Sequence, residues 1–258
     1  MLANFSFKFD SPIVCTAIHN GHKVSEAVRN NLAVSEDIQL YEEDPFTDDF
    51  TKICNNRIIT KTSRFEVDLN RNADRCVYIE PKDSWGIKVR KQKPSAQIIE
   101  ESKRKYFEFY RETEKYFRKM EDKFGRFFVW DIHSYNHHRN GADAPFDDPE
   151  TNQDIMLGIS NMNPKWFGLV QKIKVIFENY DFFGRRLTVT TQGKFPGGNF
   201  PRWIHNTFPK SACCIALEFK KIFMDEWTGK LFVEKQEKLI KMLDSVSELI
   251  EQELAKQK

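Results

Sequence analysis

The chain has 258 residues, of which 40% are hydrophobic and 30% charged, and its formal net charge at pH 7 is +2. This length suits one large domain with a substantial core, which we expect to span residues 1–258. The near balance of 40 basic and 38 acidic residues argues against nucleic acid as a partner, and no apolar run reaches the roughly 18 residues of a membrane span.

Secondary structure is predicted from the spacing of apolar residues along the chain. We expect strands at residues 12–18, 57–61, 65–69, 76–80, 127–132, 186–191 and 213–219, and helices at about 95–123, 164–180 and 233–255. The stretches 136–154 and 193–209 are rich in Pro, Gly and Asn and are predicted to be long loops. Alternation of strands and helices favours an α/β sandwich.

Two of the predicted strands end at a histidine. The apolar run at 12–18 is followed by His19 and then, three positions later, by His22, and the run at 127–132 is followed by His133. Strand ends are rigid, and three nitrogen or oxygen ligands with one open position are typical of a catalytic zinc site. The same histidines could instead be hydrogen-bonded structural residues, and their spacing alone does not decide between the two.

The segment at residues 42–49 contains five acidic side chains in eight positions. Glu43, Asp44 and Asp48 are candidates for a metal ligand or for a carboxylate that holds a histidine proton. A solvated acidic turn is an equally good explanation of the segment.

The predicted strand at 65–69 is surrounded by charged residues. Arg64, Asn70 and Arg71 are the residue types that grip a substrate carboxylate and stabilise an oxyanion, and Asp68 could fix an arginine. A structural row of ion pairs would give the same pattern.

Glu218 interrupts an apolar run near the C-terminus. An ionised carboxylate in such surroundings must be paired, lie near a metal or have a raised pKa. Each of these conditions suits a general base, whereas a salt bridge to Lys220 or Lys221 would be purely structural.

The cysteines indicate a reducing environment. There are five of them, an odd number, and several lie in apolar runs where reduced thiols are common: Cys15, Cys54, Cys76, Cys213 and Cys214. We therefore expect a cytoplasmic protein.

Taken in chain order, these segments resemble the N-formylglutamate amidohydrolase family. The motifs that carry the resemblance are His19-x-x-His22, Arg64, Asp68-Leu69-Asn70-Arg71, Asp131-Ile132-His133-Ser134 and Ile215-Ala216-Leu217-Glu218. Further family-like phrases are Ser11-Pro12, Glu43-Asp44-Pro45-Phe46-Thr47-Asp48, Leu157-Gly158, Phe195-Pro196-Gly197-Gly198 and Phe223-Met224-Asp225-Glu226-Trp227-Thr228-Gly229. That family is similar to the zinc carboxypeptidases and to the aspartoacylase and succinylglutamate desuccinylase group. The resemblance implies a three-layer α/β/α sandwich with a mixed central sheet, like that of the zinc carboxypeptidases.

The resemblance also implies roles for individual residues. One zinc ion per chain would be held by His19 and His133, Arg64 would stabilise the oxyanion, Asn70 and Arg71 would grip the substrate carboxylate, and Glu218 would act as base and then as acid. The wider group has a glutamate as its second ligand, where this chain has His22. We expect His22 to be the third ligand, with Glu43 or Asp44 as the alternative.

The implied reaction is zinc-dependent hydrolysis of the amide of an N-formyl or other N-acyl amino acid, a small molecule. Arg202, in the predicted loop at 193–209, is expected to contact a second carboxylate of the substrate. The alternatives are a carboxypeptidase-like hydrolase of a peptide or conjugate, and a non-catalytic relative that only binds metal or substrate. The oligomeric state stays open.

Overall fold

One mixed β-sheet forms the centre of the molecule. The computed structural model describes residues 2–256, with strands β1 (Ala3–Ser6), β2 (Ile13–Ala17), β3 (Arg57–Thr60), β4 (Phe127–Tyr135), β5 (Ile155–Gly158), β6 (Val189–Thr190) and β7 (Ala212–Lys220). They form a seven-stranded sheet in the order β1-β3-β2-β4-β7-β5-β6.

The four central strands run in the same direction. β3, β2, β4 and β7 are parallel neighbours, whereas β1 pairs antiparallel with β3, and β5 pairs antiparallel with β7. β6 is parallel to β5. The carboxyl ends of β2, β4 and β7 therefore meet at one edge of the sheet, which is where ligands bind in open α/β sheets.

Eight α-helices within residues 2–256 surround the sheet. They are α1 (Glu26–Asn31), α2 (Glu36–Glu42), α3 (Thr47–Phe50), α4 (Ala96–Phe124), α5 (Phe167–Asn179), α6 (Asn199–Thr207), α7 (Val233–Asp244) and α8 (Ser247–Lys256). The longest, α4, begins after Ser95, whose hydroxyl accepts a hydrogen bond from Ile98 N, and ends at Gly125 with φ of 72°. None of the helices among residues 2–256 has both the length and the apolar character to cross a membrane.

The helices cover the two faces of the sheet separately. On one face, α5, α7 and α8 pack their apolar side chains on Trp130 and Ile215, and on the other, α4 and α6 pack on Val129 and Cys214. All nine residues of β4 are buried, because the strand has a neighbour on each side and a helical layer on each face. This arrangement confirms the predicted α/β fold with a mixed central sheet.

Most of the predicted elements are found, with differences at the irregular positions. The strands at 12–18, 57–61, 127–132 and 213–219 and the helices at 95–123 and 164–180 lie within a few residues of their predicted bounds, but the predicted strand at 186–191 contains only two strand residues. The last predicted helix, at 233–255, is split into α7 and α8. The sequence patterns did not predict β1, β5, α1, α2, α3 or α6.

The predicted strands at 65–69 and 76–80 are wrong. Residues 65–69 form turns and residues 76–80 are irregular, and the two stretches are joined by the bond from Asp68 N to Cys76 O at 2.7 Å. Phe65, Val67 and Leu69 are all buried. Their alternation with polar residues therefore reflects packing of an irregular segment, not a strand. The segment covers the carboxyl edge of the sheet.

Candidate metal and catalytic site

Three neighbouring strands bring the chemistry-bearing residues to one edge of the sheet. β2 leads into His19, β4 carries His133 and β7 carries Glu218. The parallel register of β4 and β7 pairs His133 with Glu218, so their side chains leave the sheet on the same face.

His19, Asp44 and His133 form a buried cluster. One nitrogen or oxygen atom from each residue lies within 4.8 Å of the others. Asp44 Oδ2 is 2.9 Å from His133 Nδ1 and 3.5 Å from His19 Nδ1. The three residues are at most 3% exposed, so the cluster is almost entirely buried.

A second carboxylate binds the far nitrogen of each histidine. His19 Nε2 lies 2.8 Å from Asp68 Oδ1, and His133 Nε2 lies 3.0 Å from Asp131 Oδ2. With a metal ion bound, an N–H on Nε2 would donate to these carboxylates and Nδ1, which faces Asp44, would supply the lone pair to the ion. This pattern of ligand and supporting carboxylate is typical of metal-binding histidines.

The charge state of Asp44 suits a ligand as well. Burial acts to raise the pKa of this carboxyl, but hydrogen bonds from His133 and His19 and their charges outweigh burial and hold the pKa well below its usual range. Asp44 is therefore ionised at neutral pH.

The segment that carries Asp44 lies between α2 and α3 and is fixed at several points. Lys221 donates hydrogen bonds to Tyr41 O at 2.7 Å and Glu43 O at 2.8 Å, and Asp44 N donates to His19 O at 3.2 Å. The acidic stretch at 42–49 is thus not a solvated turn. It is buried against the carboxyl ends of the central strands.

His22 lies outside the cluster, which corrects the preference for it as third ligand. Its Nδ1 is 2.6 Å from Glu43 Oε2, and its side chain is 40% exposed. The physical reason is the backbone at Gly21, which packs so tightly that a Cβ there would lie 2.5 Å from the carbonyl carbon of Lys61. This close packing leaves the turn little freedom, and the His22 side chain contacts Glu43 in place of the cluster.

The other acidic candidates also have partners elsewhere. Glu43 accepts hydrogen bonds from Ser63 and from Gln39, in addition to its contact with His22. Asp48 lies on α3 and does not line the cavity at the cluster. Among the acids of this segment, Asp44 alone joins the two histidines.

Arg64 lies beside the cluster and is anchored on one side. Its Nε donates to Tyr78 Oη at 3.0 Å and its Nη2 to Asp68 Oδ2 at 3.1 Å. By contrast, Nη1 makes only long contacts, 3.4 Å to Glu42 O and 3.8 Å to Asp44 Oδ1. Nη1 is therefore the least tightly held end of the guanidinium and the one that can bind an oxygen atom in the cavity.

Asn70 and Arg71 behave differently from each other. Asn70 Oδ1 accepts a hydrogen bond from Phe200 N at 2.9 Å, and the amide nitrogen is 3.5 Å from His133 Nε2, so Asn70 links the 64–71 turn to α6. The Arg71 side chain is 37% exposed and lies 3.6 Å from Asp68 Oδ2. Both line the cavity, but Arg71 has the more accessible polar atoms.

Glu218 faces the same cavity. Burial raises the pKa of this carboxyl to about 7, against the effect of the neighbouring His133. A carboxylate with a pKa near neutrality can both accept and return a proton at neutral pH.

The cluster opens into a cavity of about 230 Å³. Its walls hold every predicted catalytic residue and both predicted carboxylate-binding residues of the 64–71 segment. Arg202 is not among them. It donates to Gly197 O at 3.1 Å and lines a separate groove beside Trp203, so the predicted second carboxylate contact is not made from this position.

Several cavity residues carried no signal in the sequence. Lys194 and Arg139 come from the two predicted loops, and Trp85 comes from a turn, where it stacks on Arg64 with 4.7 Å between the guanidinium carbon and the ring centroid. Asp131 belongs to a motif quoted above, but only the structure shows that it binds His133. A loop position predicts proximity to a site without predicting which of its side chains faces inward.

Comparisons with known proteins agree with this geometry. The family model described as N-formylglutamate amidohydrolase matches residues 11–224. An N-formylglutamate amidohydrolase from Ralstonia eutropha JMP134 has a similar structure, with a TM-score of 0.73 and 13% identity over 96% of this chain and 97% of that one. The gene product Atu2144 from Agrobacterium tumefaciens aligns with a TM-score of 0.60 and 14% identity, over 99% of this chain and 94% of that one.

The comparison with curated proteins gives no match. At 13–14% identity the two solved structures show the shared fold and nothing finer. The family match spans most of the sequence, from before β2 to beyond β7, and includes every residue of the cluster. This chain therefore belongs to the N-formylglutamate amidohydrolase family.

Proposed function

We propose that the protein hydrolyses the amide bond of an N-formyl or other N-acyl amino acid, using one zinc ion held by His19, Asp44 and His133. The observation that carries this proposal is the buried His-Asp-His cluster, which opens into the same cavity as Glu218 and Arg64. The family supports a hydrolase acting on amides.

The donor set fits zinc. Two imidazole nitrogens and one carboxylate oxygen are common zinc ligands, and three protein ligands leave a position for water or substrate. The supporting carboxylates, Asp68 and Asp131, contact Nε2 of each ring and so orient Nδ1 towards the position that the ion would take. A bound zinc ion would lower the pKa of a coordinated water and polarise the acyl carbonyl.

Glu218 is the proposed proton carrier. Its carboxylate takes a proton from the attacking water and then delivers it to the amide nitrogen as the C–N bond breaks. Burial, which raises the pKa of this carboxyl to about 7 in the metal-free protein, favours the uptake of that proton.

The two arginines bind different parts of the substrate, the oxygen of the amide and the α-carboxylate. The Nη1 of Arg64, whose hydrogen bond to Glu42 O is long at 3.4 Å, donates to the oxygen that becomes negative when water adds to the carbonyl. Arg71, with an accessible guanidinium, binds the α-carboxylate of the amino acid. Asn70 holds the turn that carries Arg71 against α6.

The experiment is a hydrolysis assay that measures formate release from N-formyl amino acids, for wild type and Glu218→Gln. We expect kcat/KM to fall by roughly 10²–10⁴ in the variant, with unchanged metal content, because only the proton carrier is lost. Full activity in Glu218→Gln would refute its role.

A C-terminally blocked substrate separates this reaction from other amide hydrolysis. Because Arg71 needs a free carboxylate, the amide of an N-formyl amino acid should be a poor substrate for wild type. The Arg71→Met variant should hydrolyse the free acid as poorly as wild type hydrolyses the blocked compound. Equal rates on free and blocked substrates in wild type would contradict the role of Arg71.

A further inference from the structure

Asn136 lies at the point where β4 ends beside the cavity. It follows Tyr135, the last residue of β4, and lines the same cavity as His133 and Glu218. The residue is 2% exposed, so its amide group is almost entirely buried. A buried amide needs hydrogen-bond partners from the protein or from a ligand.

The orientation of the Asn136 amide is set by one backbone carbonyl. Asn136 Nδ2 donates to Tyr41 O at 2.7 Å, and Lys221 Nζ donates to the same oxygen at 2.7 Å. Because a carbonyl oxygen cannot donate, the nitrogen must be the atom of the amide that faces Tyr41. The oxygen, Oδ1, is therefore turned away from Tyr41 O.

Asn136 Oδ1 is left without a partner. The atom is buried, and no donor among residues 2–256 makes a hydrogen bond to it. The hydroxyl of Ser134, on the last turn of the same strand, also lines the cavity and is also unpaired. A hydroxyl can donate or accept, so Ser134 does not specify its ligand, whereas an amide oxygen only accepts. Asn136 therefore lacks a hydrogen-bond donor.

An N-acyl amino acid has one donor in the part of the molecule that reacts. Its α-carboxylate is ionised at neutral pH, and both this carboxylate and the acyl oxygen only accept hydrogen bonds. The N–H of the amide is the remaining polar group, and it is a donor. The unpaired acceptor of the cavity and the donor of the substrate are thus complementary.

We propose that Asn136 Oδ1 accepts a hydrogen bond from the N–H of the amide that is cleaved, and that this bond makes the enzyme select amides over esters of the same shape. The inference rests on the proposed amide hydrolysis. It adds a contact to the leaving nitrogen, which neither Arg64 nor Arg71 provides.

The bond also orients the nitrogen for its proton. When water adds to the acyl carbon, the nitrogen becomes pyramidal and gains a lone pair. With its N–H held by Asn136, the nitrogen turns this lone pair away from Oδ1, where it accepts the proton that Glu218 took from the water. The C–N bond then breaks, and the products are the acid, with the hydroxyl of the water, and an amine with two hydrogens on nitrogen.

The test compares N-formylglutamate with its ester analogue, in which an oxygen atom replaces the amide N–H. Asn136→Leu removes the acceptor at similar volume, and Asn136→Asp keeps an oxygen that can accept. Asn179→Leu is the matched control, because Asn179 also donates from Nδ2 to a backbone carbonyl, Val175 O at 2.8 Å, but is exposed on α5.

We expect Asn136→Leu to lower kcat/KM for the amide by about tenfold or more, because the N–H loses its acceptor, while the value for the ester changes by less than about twofold. Asn136→Asp should keep most of the preference of wild type for the amide, and Asn179→Leu all of it. An equal loss on both substrates would show a merely structural role, and no loss on either would show that water pairs with Oδ1; each result would overturn the proposal.

Calorimetric binding of the two compounds to zinc-loaded Glu218→Gln gives a second measurement without turnover. The amide should bind about tenfold more tightly than the ester, and the preference should disappear when Asn136→Leu is added. Equal binding of amide and ester by Glu218→Gln would overturn the proposal even if Asn136→Leu did not fold. A binding preference that depends on Asn136, with no hydrolysis by wild type, would refute the proposed function alone. Hydrolysis of the amide with an unchanged preference in Asn136→Leu would refute this inference alone.

Discussion

Asp68 is the residue on which most of the site depends, and its replacement gives a quantitative prediction. It is fully buried, and burial acts to raise its pKa, but Arg64 and His19 hold the pKa well below the usual range. Its two oxygens bind His19 Nε2, Asn70 N, Arg64 Nη2 and the hydroxyl of Tyr78. One carboxylate therefore orients a proposed metal ligand and also neutralises a catalytic arginine.

The change Asp68→Asn keeps the shape of the side chain but removes its charge. We expect zinc affinity to fall by roughly 10–100-fold, because the His19 ring loses its orienting acceptor. The free energy of unfolding of the metal-free protein should fall by about 3–5 kcal/mol, because Arg64 is left buried without its acid.

Asp131→Asn is the matched control. Asp131 binds His133 Nε2 at 3.0 Å and accepts from Thr16 Oγ1 at 2.9 Å, and no arginine or lysine contacts it among the described residues. Zinc affinity should fall by a similar factor, but the loss of stability should be only about 1–3 kcal/mol.

Zinc affinity is measured by competition with a chelator, and stability by urea unfolding of the metal-free proteins. An Asp68→Asn protein that binds zinc within about twofold of wild type would refute the assignment of His19 as a ligand supported by Asp68. A loss of stability no larger than that of Asp131→Asn would refute the argument about Arg64.

Three further predictions concern stability and the position of Asn70. Burial lowers the pKa of His205, whose ring nitrogens both contact backbone groups, so wild type should lose stability as the pH falls below about 6.5, where the unfolded chain takes up the proton first. Urea unfolding at pH 8 and at pH 5 should show a smaller loss of stability in His205→Gln than in wild type. An equal loss in the two proteins would contradict the role of His205. Gly198→Ala should lower kcat/KM while zinc content is unchanged, because its Cβ would lie 2.2 Å from Asn70 Oδ1; an activity equal to that of wild type would show that Asn70 does not matter. Ile215→Ala, in the buried centre of β7, should cost about 2–5 kcal/mol in urea unfolding, and a cost well under 1 kcal/mol would contradict the packing described.

The strands that carry the site can be predicted because each one is a run of apolar residues, the pattern expected of a buried strand. Residues buried on both faces of a parallel sheet are mostly apolar, so a polar residue towards the end of such a run, such as His133 or Glu218, indicates the edge of the sheet. The expected convergence of His19 with these residues follows from the shared strand direction.

The predictions of secondary structure fail where contacts between residues far apart in the sequence determine the backbone conformation. The alternation at 65–69 has the period of a strand, but the bond from Asp68 N to Cys76 O folds the segment into turns. The Pro- and Gly-rich stretch at 193–209 predicted only a loop, although α6 lies within it.

The choice of third ligand shows the same limit. Spacing favoured His22, three residues after His19, but the packing of Gly21 on Lys61 turns its side chain onto Glu43. The acidic segment at 42–49 made Asp44 an alternative candidate, but this residue lies more than twenty positions after His19 and no spacing pattern singles it out from its neighbours.

The most direct test of this account is the zinc content per chain of wild type, Asp44→Ala, His133→Ala and His22→Ala, each reconstituted with zinc under the same conditions. We expect about one zinc ion per chain in wild type and in His22→Ala, and none in Asp44→Ala or His133→Ala. Zinc retained by Asp44→Ala but lost by His22→Ala, or no zinc bound by wild type, would contradict the proposed metal site.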